Sequence, residues 1–160
     1  MVTKKTLTVP YKEITGDSGL NKEEVFTVAA ALDAAQKAYS PYSKFSVGAA
    51  VLLENDDVVC GNNQENAAYP SGLCAERVAL FAAGAKFGNI APKMMTIVAL
   101  KDGDITNMPV TPCGACRQVF IEVEKRYSKP FSLIMAGKEK VLKLDKASDL
   151  LPFAFNSIDI

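Results

Sequence analysis

The chain has 160 residues, 49% of them hydrophobic and 22% charged, with 18 basic residues set against 18 acidic ones. That is enough chain for one domain with a real core, and the even charge balance offers no anchor for a nucleic-acid or membrane partner. There is no histidine, which excludes Ser-His-Asp triads, Cys-His pairs and every histidine-bearing metal site, so a zinc ion would have to rest on thiolates and carboxylates.

Residues 1–20 read as an N-terminal arm, with a turn at Gly16, Asp17, Ser18 and Gly19, and residues 21–160 as a single domain. No stretch reaches the roughly 20 apolar residues that cross a bilayer, and Met1 to Pro10 lacks the apolar core of a signal peptide. The expected compartment is the cytoplasm, where thiols stay reduced. The four cysteines are therefore metal ligands or buried thiols before they are disulfides.

Asn21 and Glu24 form a capping-box pattern that opens a first helix. Val25, Val28, Ala29, Leu32 and Ala35 recur at helical spacing as its apolar face, and Ser40-Pro41 is the expected stop. Phe45, Val47, Ala49, Val51 and Leu53 then alternate as one side of a strand. Asn55, Asp56 and Asp57 turn the chain into a returning strand at Val58-Val59-Cys60. A polar, turn-rich stretch leads to a second helix over Cys74 to Phe87. Met94 to Leu100 is a buried strand, Pro112 opens a third helix over Cys113 to Tyr127, and Phe131–Met135 and Val141–Leu144 are two further strands. A short helix over Ser148 to Leu151 precedes the tail. Five strands alternating with helices predict an α/β fold, a sheet covered by helices on both faces.

Cys113-Gly-Ala-Cys116 has the spacing that lets two sulfurs reach one metal, a pattern shared by redox motifs and structural zinc sites. A third thiol, Cys74, stands at the predicted start of the second helix, as Cys113 and Cys116 stand in the first turn of the third. Free amides and the helix dipole favour the thiolate that zinc requires. Two such helix starts facing each other would gather three thiolates and leave a fourth position open, as in a catalytic site. Glu76, two residues after Cys74, is too close to be a comfortable ligand but well placed to move protons. The plainer alternative makes Cys74 a small buried apolar residue and Glu76 an exposed helix residue. Cys60, on a strand outside these motifs, is expected to pack in the core.

Four stretches, Tyr39-Ser-Pro-Tyr-Ser-Lys-Phe-Ser-Val-Gly-Ala-Ala50, Gly61-Asn-Asn-Gln-Glu-Asn-Ala-Ala-Tyr-Pro70, Cys74-Ala-Glu-Arg77 and Pro112-Cys-Gly-Ala-Cys-Arg-Gln-Val119, resemble the small homotetrameric cytidine deaminases. The resemblance runs from about Asn21 to the C-terminus. It implies a three-layer α/β/α fold with a mixed sheet of about five strands. It also implies hydrolytic deamination of cytidine and deoxycytidine, as in pyrimidine salvage. Under it Cys74, Cys113 and Cys116 bind one Zn²⁺ per subunit, and Glu76 is the proton shuttle of a three-cysteine zinc deaminase. Asn63 and Glu65 would bind the ribose 3′ hydroxyl, Phe45 would pack on the pyrimidine, and the backbone near Ala75 and Cys113 would read the base edge. Arg77 would donate to the sulfurs and withdraw charge from a site of net charge about −1, keeping the metal acidic. Phe155 matches the C-terminal aromatic that reaches a neighbouring subunit's site, implying a homotetramer. Two positions depart from the pattern: Asn62, where relatives often carry cysteine, and Phe153, where they carry a small or polar residue.

Competing readings are a deaminase of another cytosine compound, an editor of cytosine in nucleic acid, and a structural zinc module. The Asn63-x-Glu65-Asn66 motif favours a plain nucleoside. The charge balance and the lack of tryptophan leave few phosphate anchors and little stacking surface. A structural site needs a fourth protein ligand, and Cys60 is the one cysteine left.

Overall fold

In the computed structural model, which describes residues 1–16 and 19–156, most elements stand close to their expected bounds. In chain order they are β1 (Lys12–Ile14), α1 (Lys22–Gln36), β2 (Phe45–Leu53), β3 (Val58–Asn62), α2 (Ala75–Lys86), β4 (Pro92–Lys101), β5 (Asp104–Ile105), α3 (Gly114–Tyr127), β6 (Ser132–Ala136) and β7 (Val141–Leu144). Single 3₁₀ turns lie at Tyr69–Ser71 and Ala147–Leu150. Two residues of the expected turn, Asp17 and Ser18, lie outside the described residues.

The strands run in the order β1-β7-β6-β4-β2-β3, with β5 added to β4. The β4–β6 pair is parallel and the other pairs are antiparallel. The sheet is therefore mixed, as expected, and among the described residues it has seven strands where about five were expected. The two additions, β1 and β5, span 3 and 2 residues, too short for alternation to reveal them. The first recruits the N-terminal arm to the sheet edge, held there by Lys12–Asp145 and Glu13–Lys140 ion pairs.

Alternation along β2 sorts the core into two layers. Ala49, Val51 and Leu53 face α2 and α3, joining Ala75, Ala79, Leu80, Ala83, Cys116 and Phe120. Ala50 and Leu52 face the other way, toward α1 and its Ala31 and Val28. Helices thus cover both faces, giving the three-layer α/β/α arrangement.

The first helix departs from its expected orientation. Its buried residues are Glu24, Thr27, Ala31, Ala34 and Ala35, whereas Val25 is 51% exposed and Ala29 is also exposed. The cause is close approach: a Cβ on Gly48 would lie 2.0 Å from the Ala31 carbonyl oxygen and 2.4 Å from the Ala35 nitrogen. Only a small-residue stripe can lie that close to β2. The polar members of the stripe find partners at the helix cap and on the sheet. Glu24 closes the capping box with Asn21 and pairs with Lys143 of β7, and the Thr27 hydroxyl meets that of Thr96 at 2.8 Å. The helix also ends at Gln36, before Ser40-Pro41, because Tyr39 leaves it to bridge Gln64.

A second close approach sets the N-terminal end of α2. A Cβ on Gly61 would lie 2.4 Å from the Ala79 nitrogen and 2.7 Å from the Ala75 carbonyl oxygen, so the first turns of α2 press directly on β3. Among the described residues no helix is long and apolar enough to cross a membrane.

Candidate active site

Cys74 and Cys113 are the N-caps of α2 and α3, each with extended backbone and without a side-chain cap bond. The first amides of both helices are thus left pointing past these two residues, an environment that favours negative sulfur. Cys116 follows within the first turn of α3 and is fully buried. The Cys74 and Cys113 sulfurs stand 3.7 Å apart and those of Cys113 and Cys116 3.6 Å apart, and the three lie within 4.8 Å of one another. A tetrahedral ion with zinc–sulfur bonds of about 2.3 Å would hold its sulfurs about 3.8 Å apart. The donor set fits zinc. Cys60 is not part of it: it is exposed on the edge strand β3, its sulfur 3.9 Å from the Ala30 carbonyl. It is therefore not the packed core residue expected, because an edge strand covers its side chains on one flank only.

The cluster is electrostatically uneven. The Cys74 thiol is drawn down to about 5 by its hydrogen bond with Cys116, against the cost of burial, with further help from Arg77 and Cys113. Cys116 moves up, as the partner that keeps the shared proton and as a buried group. Arg77 sends Nη2 to the Cys74 sulfur at 3.8 Å, while its Nε–H is buried with no acceptor. That orphaned donor leaves the guanidinium capacity for further negative charge at the cluster.

Glu76 is 5% exposed in the first turn of α2. Burial pushes its carboxyl up; its own backbone amide opposes this, and the neighbouring Cys74 charge adds to it. It lines a cavity of about 870 Å³ together with Phe45, Asn63, Glu65, Cys74, Ala75, Arg77 and Cys113. Four of the five residues expected to touch substrate are therefore on one cavity wall or another. The fifth, Phe155, is not: it is 77% exposed, and its carbonyl is held by Gln118 on α3.

Asn63 and Glu65 are engaged with the backbone. The Asn63 carbonyl accepts from Val47 N at 2.7 Å and its amide donates to Phe45 O at 3.0 Å, leaving one amide hydrogen free of these bonds. Glu65 Oε2 accepts from Tyr42 N and Ser43 N at 2.9 and 3.3 Å. Its carboxyl lies low, first because of the Ser43 side chain, against burial, and then because of these amides. Both side chains therefore fix the loop entering β2, where Lys44 adopts a φ of 56° and Phe45 is aimed into the cavity wall. Sequence reasoning missed Tyr42, Tyr69, Leu73, Val110 and Thr111, which also line the cavity. Tyr42 and Tyr69 lie inside two of the motifs quoted above, but nothing in their spacing distinguishes a lining residue from a turn residue.

Residues 21–128 match the sequence profile described as the cytidine and deoxycytidylate deaminase zinc-binding region. The cytidine deaminase of Halalkalibacterium halodurans is 39% identical over 130 residues, 81% of this chain and 92% of that one. Among solved structures, the cytidine deaminase of Burkholderia pseudomallei superposes with a TM-score of 0.69 at 39% identity, covering 82% of this chain and 98% of its own. That of Mycobacterium tuberculosis gives a TM-score of 0.63 at 33% identity, covering 83% and 97%.

Proposed function

The chain belongs to the cytidine and deoxycytidylate deaminase family, and we propose that Cys74, Cys113 and Cys116 are the zinc ligands and Glu76 the proton shuttle of its reaction. It is a zinc-dependent hydrolase that deaminates cytidine, acting on the C–N bond of a cyclic amidine. The observation that carries the residue assignment is a buried glutamate of raised pKa beside three sulfurs at zinc spacing, on the wall of one cavity.

Held by the three sulfurs, zinc would supply the Lewis acidity that lets a water molecule give up a proton at neutral pH and become a nucleophile. Glu76 takes a proton from the attacking water and delivers it to N3 of the base as the new C4–O bond forms. It then carries the second proton to the exocyclic amine, and the C4–N bond breaks to release ammonia and leave uridine. A raised pKa suits this duty, since the group must both accept and return a proton near neutrality. Phe45 packs on the pyrimidine. The backbone near Ala75 and Cys113 reads the base edge, and the free amide hydrogen of Asn63 and the Glu65 carboxylate take the ribose 3′ hydroxyl. Deoxycytidine keeps that hydroxyl and is a substrate as well. Arg77 donates to the sulfurs and offsets their charge.

Residues 21–160 form the catalytic domain and residues 1–20 an appended arm. The working form is a homotetramer in which Phe155 enters a neighbour's site. Large exposed apolar side chains support this, Tyr69 at 91%, Phe153 at 89% and Phe155 at 77% exposure among them. The cytoplasm, where four free thiols stay reduced, is the compartment that suits the site, and recovery of pyrimidines is the role. The test is loss of ultraviolet absorbance with cytidine, deoxycytidine and free cytosine before and after chelation. Turnover of both nucleosides that chelation abolishes and zinc restores supports the assignment; turnover indifferent to zinc refutes it. Light scattering on the purified protein tests the tetramer, which a monomer mass would refute.

A further inference from the structure

The C-terminal tail presents an unusual problem of position. From Leu151 to Asn156 it has neither helix nor strand, and its two aromatic side chains, Phe153 and Phe155, are 89% and 77% exposed. Burial of those rings therefore does not hold it. Leu151, Pro152, Ala154 and Asn156 of the tail share the lining of a cleft of about 470 Å³ with Leu7, Thr8 and Val9 of the N-terminal arm. What fixes the tail is a pair of adjacent side chains on α3. Arg117 joins the Pro112 carbonyl, through Nε at 2.9 Å, to the Leu150 carbonyl, through Nη1 at 3.3 Å. Gln118 reaches further and donates Nε2 to the Phe155 carbonyl at 2.7 Å.

We infer that Gln118 is a positioning residue for the reaction: it anchors the tail at Phe155 to the helix whose start carries Cys113 and Cys116. The inference rests on the reading that Phe155 serves a neighbouring subunit's site. Gln118 does not line the cavity, so it acts through the tail and not on the substrate. The geometry ties the backbone of Phe155 to the helix that carries two of the three clustered thiols. The start of α3 is pinned at Pro112 by one side chain and its next residue clamps the backbone of Phe155. With rings that are mostly exposed, the amide-to-carbonyl bond sets where the tail rests when a second copy is offered to it.

Two substitutions at one position test this. Gln118→Glu keeps the size but replaces the donating amide with an acceptor, and Gln118→Met keeps the length without any donor or charge. Both are compared with Phe155→Ala and with the Gln118→Met/Phe155→Ala double variant, all as zinc-loaded enzyme. The expected result is a KM for cytidine raised about threefold to tenfold in each Gln118 variant, the size of one exposed hydrogen bond, with kcat and zinc content within about twofold of the parent. The double variant is expected to be no worse than Phe155→Ala alone, because Gln118 acts by placing the Phe155 ring, and with the ring gone there is nothing left for it to place. Parent-like KM in the folded Gln118 variants, with a raised KM in Phe155→Ala, overturns the anchor and spares the role of the ring. A Gln118 penalty that persists in full on the Phe155→Ala background also overturns it, since the residue then acts elsewhere. If Phe155→Ala itself behaves like the parent, the reading of the tail fails and the anchor fails with it.

Discussion

Two glutamates occupy the first turns of helices on opposite faces of the sheet, and burial works on both in the same direction. Glu24 is 3% exposed and Glu76 5%. For Glu24 the cost of burial is outweighed by the Lys143 ammonium, the Asn21 amide and the charges of Lys143 and Lys12, and its pKa falls. For Glu76 burial is not outweighed, the Cys74 charge adds to it, and the pKa rises. The first carboxylate is stapled between two elements; the second faces a cavity. A buried carboxyl with its partners in place is a structural device, and one left short of partners next to a thiol cluster is a chemical one.

The sharpest break in this comparison comes from removing each carboxylate. Glu76→Gln is expected to lower kcat by about a hundredfold to ten-thousandfold, the usual scale for a lost general acid–base, while zinc content and melting temperature hold. Parent-like turnover in steady-state kinetics would remove Glu76 from the mechanism. Glu24→Ala reverses the pattern. It strips a capping box and leaves Lys143 without its buried partner, costing about 2–4 kcal/mol of stability. Denaturant titration measures that loss, and kcat/KM per folded molecule is expected to stay within about twofold.

The amino-acid sequence made one of these regions legible and only part of the other: it showed the Asn21–Glu24 capping box but not the face that α1 buries. The gathering of Cys74, Glu76, Cys113 and Cys116 at one cavity was readable because it depends on local features: a two-residue spacing, two helix starts, and a proline just before the N-cap of the second. The α1 face was not. Its apolar residues Val25 and Ala29 point outward, since the choice of face was made by Gly48 on the neighbouring strand and by Lys143, which lies 119 positions further along. The same reason hides β1 and β5, whose pairing partners are distant and whose own patterns are too short. Asn63 and Glu65 were expected at the site from their motif, and both line the cavity, but their bonds to the backbone of residues 42–47 depend on loop geometry that spacing does not encode.

A smaller effect separates the thiol cluster from the Glu24 staple. Arg77→Gln is expected to weaken zinc retention or activity by about tenfold to a hundredfold, as outer partners of metal ligands do, and competition with a chromogenic chelator reads it. Unchanged retention and kcat together would return Arg77 to the helix surface. The smallest effect is in the pH dependence of stability, where the two glutamates have opposite signs. The Glu24 pKa is depressed in the fold, so its contribution is complete above the ordinary value of 4.5 and is lost as pH falls through the depressed one. The Glu76 pKa is raised, so stability from keeping it neutral is present below 4.5 and is lost as pH rises through the raised value. Thermal melts of zinc-free protein across this range are expected to show a flatter acid limb in Glu24→Gln and a gain on the neutral side in Glu76→Gln.

The central claim is that three sulfurs from two helix starts hold one divalent ion with a coordination position left for solvent. Cobalt(II) substitution tests it most directly. The account predicts one cobalt per chain, a charge-transfer intensity of three thiolates, and visible bands that shift when an exchangeable ligand is added. A four-sulfur spectrum indifferent to added ligand, or no stoichiometric uptake, would contradict it.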